Sequence, residues 1–185
     1  MPRPKTLPDQ DVLKAAYALM HERGPEALSF AVVGEVCGLS ASTLVQRFKT
    51  KDRLVQATLL YAWDRLDEKT AALAAKAART PAGAIKLLAG LSGAYGGIEA
   101  YANGLLVLRE DVRDPDLRAR GTAWKAVLSK ALDACFATTP AAPRGIGLLM
   151  ATHWQGSLLW WSFDPNQEVT DYVEASLKRF IAAII

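Results

Sequence analysis

Apolar residues recur along this 185-residue chain at helical spacing almost everywhere. Val12, Ala16, Leu19 and Met20 share one face of a first helix that starts near Asp9 and stops at Gly24-Pro25. A second, short helix follows Ser29, with Phe30, Val33 and Val36 or Cys37 turned inward, and ends at Gly38. Ser40 is placed to cap a third helix over residues 41–48, with Leu44 and Phe48 inside. Thr50 caps a fourth that runs to about Ala78, with Asp52 suited to its positive end.

The same signals continue to the end. Thr80-Pro81 opens a fifth helix. Five glycines between Gly90 and Gly104 predict a break and a short sixth helix near residues 98–108. Asp114-Pro115-Asp116 opens a seventh, with Leu117, Gly121, Trp124, Leu128, Ala131 and Cys135 on one face. An eighth covers residues 144–163. A ninth follows Asp164-Pro165-Asn166 and carries a stripe from Val169 to Ile184. Sustained period-2 alternation is absent. The predicted fold is all-α with about nine helices.

Composition changes this picture little. Hydrophobic residues make 51% and charged residues 22%, an ordinary globular balance. Cys37 and Cys135, the two cysteines, form no disulfide framework, so a reducing, cytoplasmic setting is expected. With two histidines as well, no closed metal site is expected, and no cofactor. Residues 145–163 lack charge and approach a bilayer's span. Thr152, His153, Gln155, Ser157 and Ser162 interrupt them, which predicts a buried helix rather than a membrane.

Catalytic patterns fail. Gly90-Leu91-Ser92-Gly93-Ala94 lacks the last glycine of a nucleophile elbow and follows no strand. Gly145-Ile146-Gly147 has Met150 where a dinucleotide motif needs glycine. The acidic pairs Glu110-Asp111 and Asp114-Asp116 read as caps and solvated charge. His153 reads as a core or pocket histidine rather than a base, so no catalytic residue is assigned.

The second and third helices, joined by Gly38-Leu39, make a helix-turn-helix. Gly34 suits a close helix crossing, and Leu39 can plug the corner. Ala41, Ser42, Thr43, Gln46 and Arg47 on the third helix are short or hydrogen-bonding, as a DNA major groove requires. Charge agrees. Residues 1–54 hold eight Lys/Arg against six Asp/Glu, with Arg47, Lys49, Lys51 and Arg53 clustered and Arg3 and Lys5 in the leading arm.

Residues from Val12-Leu13 and Ala16 through Glu22-Arg23-Gly24, Ala27, Ser29, Cys37-Gly38-Leu39-Ser40 and Thr43-Leu44 to Phe48, Lys51-Asp52 and Leu54 resemble the N-terminal domain of TetR-type transcriptional regulators. The resemblance implies a DNA-binding domain over 1–50 and a ligand-binding and dimerisation domain over 51–185. It implies that Ser29 and Lys51 hold phosphates and that Thr43 meets the backbone or a base edge. Gln46 and Arg47 are the candidates for base readout, with adenine and guanine as their natural partners. Ser40, Ser42 and Lys49 complete the expected DNA-binding set. Val45 stands where such regulators usually carry an aromatic residue, and offers only apolar contact to a thymine methyl. Ala31 and Ala41 replace residues that are often basic, and Arg47 stands where His or Tyr is commoner.

Two further expectations concern residues 51–185. The eighth helix is apolar on almost every side, more than one chain's core can cover. A two-fold interface of the last two helices is therefore expected, through Trp154, Leu158, Trp161, Leu177, Phe180 and Ile184. Glycines in the middle of the domain leave room for a pocket bounded by Trp63, Tyr95, Tyr101, Leu105, Trp124, Leu128 and His153. Its occupant is expected to be a lipophilic or aromatic small molecule, neutral or singly charged. The expected function is ligand-responsive repression from a palindromic DNA operator bound by a homodimer. The alternative is a helical small-molecule binder or enzyme without DNA function.

Overall fold

The computed structural model describes residues 7–93 and 97–185. Among these, nine α-helices and one 3-10 turn account for the secondary structure. The helices are α1 (Asp9–Arg23), α2 (Phe30–Cys37), α3 (Ala41–Phe48), α4 (Lys51–Lys76), α5 (Pro81–Ser92), α6 (Ile98–Arg113), α7 (Pro115–Cys135), α8 (Ile146–Phe163) and α9 (Val169–Ile184). The 3-10 turn, Pro25–Ala27, lies between α1 and α2.

Side-chain caps start most helices where the sequence places them. Ser29 Oγ accepts from the Val32 amide, Ser40 Oγ from Thr43 and Thr80 Oγ1 from Gly83, each at 3.2 Å. Thr50 Oγ1 accepts from Arg53 at 3.2 Å, and Asp114 Oδ1 from Asp116 and Leu117 at 2.8 and 3.2 Å. Each satisfies an amide that the helix leaves orphaned.

The differences are local. Pro8 occupies the cap position of α1 without a side-chain cap, because Asp9 already has helical backbone. Helix α6 runs on to Arg113, as nothing before Asp114 interrupts it. Helix α8 begins at Ile146, where the left-handed Gly145 (φ 75°) ends the preceding turn. Val36 is exposed, and Cys37 takes the inward place. No helix among the described residues is long and apolar enough to cross a membrane.

The chain forms two compact units. Of the described residues, the first takes 7–65 and 102–120. Its core joins Val12, Ala16, Leu19 and Met20 of α1 to Leu28, Val33, Leu44, Leu54, Leu59 and Leu117. Helix α6 docks on the end of α1 in this unit. The Asn103 amide donates to the carbonyls of His21 and Glu22 at 3.0 and 3.2 Å. Trp63 Nε1 of α4 donates to Asp111 of α6 at 3.0 Å, and Arg120 of α7 pairs with Asp64 at 2.6 Å.

Of the described residues, the second unit takes 66–93, 97–101 and 121–185. Helices α5, α8 and α9 pack together there around Leu87, Leu88, Met150, Leu158, Val173 and Leu177. Its buried tryptophans have their N–H groups satisfied: Trp154 by Ser92 Oγ at 2.7 Å, and Trp161 by the Gln167 carbonyl at 2.9 Å.

Candidate nucleic-acid interface

Helices α2 and α3 cross tightly at Gly34. A Cβ there would lie 2.6 Å from the Leu39 carbonyl oxygen, so no larger residue fits without moving the turn. Gly38 takes the left-handed conformation that ends α2 (φ 65°, ψ 31°), and Leu39 N donates back to Gly34 O at 2.9 Å. These two glycines set the angle at which α3 leaves α2.

Leu44 is fully buried and Phe48 packs beside it, which fixes the opposite face of α3 outward. That outward face carries Ala41, Ser42, Val45, Gln46 and, just past the helix, Lys49. Ser40, Ser42 and Thr43 link their hydroxyls at the helix start, Ser40 Oγ lying 2.9 Å from Ser42 Oγ and 2.8 Å from Thr43 Oγ1. Hydroxyls and amides at a helix N-terminus form a ready site for a phosphate.

Three cations beside this face bond to protein groups. Lys49 Nζ donates to the Gln46 carbonyl at 2.6 Å. Lys51 Nζ donates to the Glu26 carbonyl at 3.3 Å and lies 3.8 Å from its carboxylate. Arg47 behaves differently. Its Nη1 donates to the Leu7 carbonyl at 2.6 Å and to Asp9 Oδ1 at 3.2 Å, and its side chain is only 21% exposed. Sequence reasoning places Arg47 on the reading surface. In the structure it turns to the start of α1 instead, toward partners far away in the chain that no local pattern reveals. Arg3 and Lys5 lie outside the described residues.

One backbone feature sits beside this surface. Lys49 has φ 67° and ψ −56°, the one positive φ outside glycine among the described residues. The Thr50 amide donates to the Phe48 carbonyl at 2.8 Å, which closes a three-residue γ-turn between α3 and α4.

Residues 12–58, which run from α1 through α2 and α3 into the start of α4, match the family description of bacterial regulatory proteins, tetR family. The helix-turn-helix segment is therefore similar to that family's. Solved structures of transcriptional regulators also share the fold over nearly the whole chain. A transcriptional regulator from Rhodococcus sp. Rha1 matches with a TM-score of 0.76 at 18% identity, covering 97% of this chain and 96% of that one. A regulator from Saccharomonospora viridis, in complex with choline, matches with a TM-score of 0.73 at 16% identity, covering 94% and 95%. AibR, in complex with isovaleryl coenzyme A and operator DNA, matches with a TM-score of 0.63 at 17% identity, covering 95% and 96%. No curated protein matches the sequence.

The remaining site residues divide between the two units. Trp63 and Leu105 belong to the first, where Trp63 bonds to Asp111 and Leu105 is exposed. Tyr101, Trp124, Leu128 and His153 belong to the second, and Tyr95 lies outside the described residues. Leu128 is core, Tyr101 packs edge-on against Trp161, and Trp124 Nε1 donates to Thr70 at 2.9 Å. His153 stacks on Phe180 and shares a 2.9 Å hydrogen bond with Ser176. Two cavities in the second unit have other linings. One of about 430 Å³ is bounded by Leu73, Lys76, Ala77 and Leu87 among others, and one of about 390 Å³ by Trp161, Pro165 and Gln167 among others. Gly90 leaves no vacancy, because Leu73 fills the space beside it.

Trp154, Leu158, Trp161 and Leu177 are enclosed within a single copy, and Phe180 and Ile184 are half-buried beside them. The face of α8 left open holds Leu148, Leu149, Leu159, Trp160 and Phe163, the last two 68% and 74% exposed. Sequence periodicity marked α8 as apolar all round but chose its inner row. The row with fewest polar residues, Ile146 to Trp161, goes inward, and the mixed row containing Thr152 and Gln155 stays out.

Asp111 is the one group with a strongly moved acidity among the described residues. Burial raises its carboxyl to about 6, the Trp63 hydrogen bond opposes the rise, and the charge of Asp114 adds to it.

Proposed function

We propose that this chain is a ligand-responsive transcriptional repressor that binds a palindromic DNA operator as a homodimer. It acts as a regulator rather than an enzyme, in the cytoplasm. The observation that carries this reading is the outward face of α3, held by Gly34, Gly38 and Leu44 as one continuous surface of small and hydrogen-bonding residues. Residues 1–50 serve DNA and residues 51–185 serve ligand and partner.

Gln46 reads a base edge and Val45 a thymine methyl. Ser29, Ser40, Ser42 and Thr43, with Lys49 and Lys51, take phosphates. The lysines give up only exposed partners to do so, and such pairs are worth about 0–1 kcal/mol. The open face of α8, with α9 beside it, covers a second copy. The choline and isovaleryl coenzyme A complexes of its structural relatives support a small-molecule effector, and the AibR operator complex supports DNA. The effector shifts the protein away from DNA only if it prefers the non-binding state.

Selection from a pool of randomised duplex DNA tests the core of the proposal. An enriched inverted repeat, with half-sites spaced by whole helical turns, is the expected result. Failure to enrich any duplex at low salt overturns it.

A further inference from the structure

Helix α4 ends and α5 begins around a turn built largely from small residues. Ala77, Ala78, Ala82 and Gly83 stand there, and a Cβ on Gly83 would run into the Ala78 carbonyl, so the backbone closes tightly. Small side chains beside a tight turn leave volume unfilled, and the cavity of about 430 Å³ opens at this place. Small-molecule sites span about 300–1,000 Å³. The whole lining belongs to the second unit. Leu73 of α4 and the buried Leu87 of α5 supply apolar wall. Lys76 and Lys86 line the cavity as well, although both are exposed. A lysine does this when its stem covers apolar wall and its ammonium stays in water. Neither ammonium has a hydrogen-bond or ion-pair partner among the described residues. None of the lining residues is acidic, and residues 69–98 hold Lys69, Lys76, Arg79 and Lys86 without an Asp or Glu.

We propose that this cavity binds an aliphatic carboxylate, its chain against Leu73 and Leu87 and its charged end at Lys76 and Lys86. The site and its test involve no DNA, so the proposal can fail while the DNA-binding reading above stands. Charge complementarity selects an anion, because two cations stand at the cavity with no carboxylate of the protein to neutralise them. The apolar wall selects a hydrocarbon chain, which gains free energy by leaving water. The donors select a carboxylate over a phosphate. Phosphate sites are commonly built from arginine forks or from free amides at a helix start. No arginine lines this cavity, and Thr80 Oγ1 already accepts from the Gly83 amide at 3.2 Å. The charge therefore comes from the lysines and not from the end of α5. Each ammonium is a compact point charge that can meet one carboxylate oxygen. The Thr80 hydroxyl, also in the lining, keeps its own proton as a further donor.

Calorimetry with the full chain and decanoate, held below its micelle concentration at pH 7.5, is the test. Decanoate is expected to bind, and decanol, the same chain without the charge, to bind about tenfold more weakly. Acetate, which has the head without the chain, should not bind. Decyltrimethylammonium, which has the chain with the opposite charge, should not bind either. K76A/K86A should lose about tenfold for decanoate and nothing for decanol. A82W changes an exposed residue of the lining and fills the cavity, so it should abolish binding of both. Thermal melting checks that each variant keeps its fold, and K76A/K86A reads the site without touching the core. The proposal is overturned if decanol binds as tightly as decanoate, or if K76A/K86A binds decanoate as wild type does. It is equally overturned if A82W leaves binding unchanged, or if decanoate does not bind at all.

Discussion

Asp111 puts a measurable load on the first unit. Its carboxyl is pushed up by burial, while the indole of Trp63 holds it in place. A raised carboxyl means the folded state holds its proton more tightly than the unfolded chain does. Stability from this group is therefore greatest below 3.8, falls as pH rises through the window up to about 6, and stays low above it. Asn at this position keeps an acceptor for Trp63 and removes the charge. D111N should melt higher than wild type at pH 7.5 and match it near pH 4. A higher melting temperature for wild type at pH 7.5 would refute the assignment. Lys51 belongs to the same scale and has the opposite character. It is exposed, and K51A should weaken binding to every selected duplex alike while lowering the salt slope by about one unit. A loss confined to one base position would contradict its phosphate role.

Among the elements, the sharpest requirement is the crossing of α2 and α3. G34A forces a Cβ against the Leu39 carbonyl, a backbone atom that cannot swing aside. Overpacking of this kind costs about 1–3 kcal/mol, read as a fall in melting temperature with loss of DNA binding. Unchanged melting would mean that the turn is softer than its geometry indicates. Helix starts were legible in the sequence because a cap is local. Ser29, Ser40, Thr50, Thr80 and Asp114 each bond within their own first turn. The outward face of α3 was legible for the same reason, since Leu44 and Phe48 fix it by spacing alone. Arg47 was not, because its partners are the carbonyl of Leu7 and the carboxylate of Asp9, set by how α1 packs on α3. The linings of the two cavities were not legible either. Glycines open space only where a neighbour leaves it open, and at Gly90 the side chain of Leu73 takes it.

For the whole molecule, the open row on α8 predicts assembly. Leu148, Leu149, Leu159, Trp160 and Phe163 form an apolar stripe with Gly156 among them, where a Cβ would meet nothing within 4 Å. Light scattering should give a dimer at micromolar concentration. W160E should give a monomer that keeps its helical content, and a dimer unmoved by that change would place the interface elsewhere. A two-fold assembly asks something of the joint ahead of α4. At Lys49 the backbone adopts a conformation that costs about 1–3 kcal/mol for any residue with a Cβ. Such a conformation persists only where the surrounding structure holds it wound. Movement of α4 is then passed to the reading helix instead of being lost in slack, and two such joints in a dimer must turn in step. K49G should free the joint, and K49A should remove the charge while keeping it wound. The glycine variant should be the more stable of the two by about 1 kcal/mol, yet bind the selected duplex more weakly, because it must set its own angle each time it meets DNA.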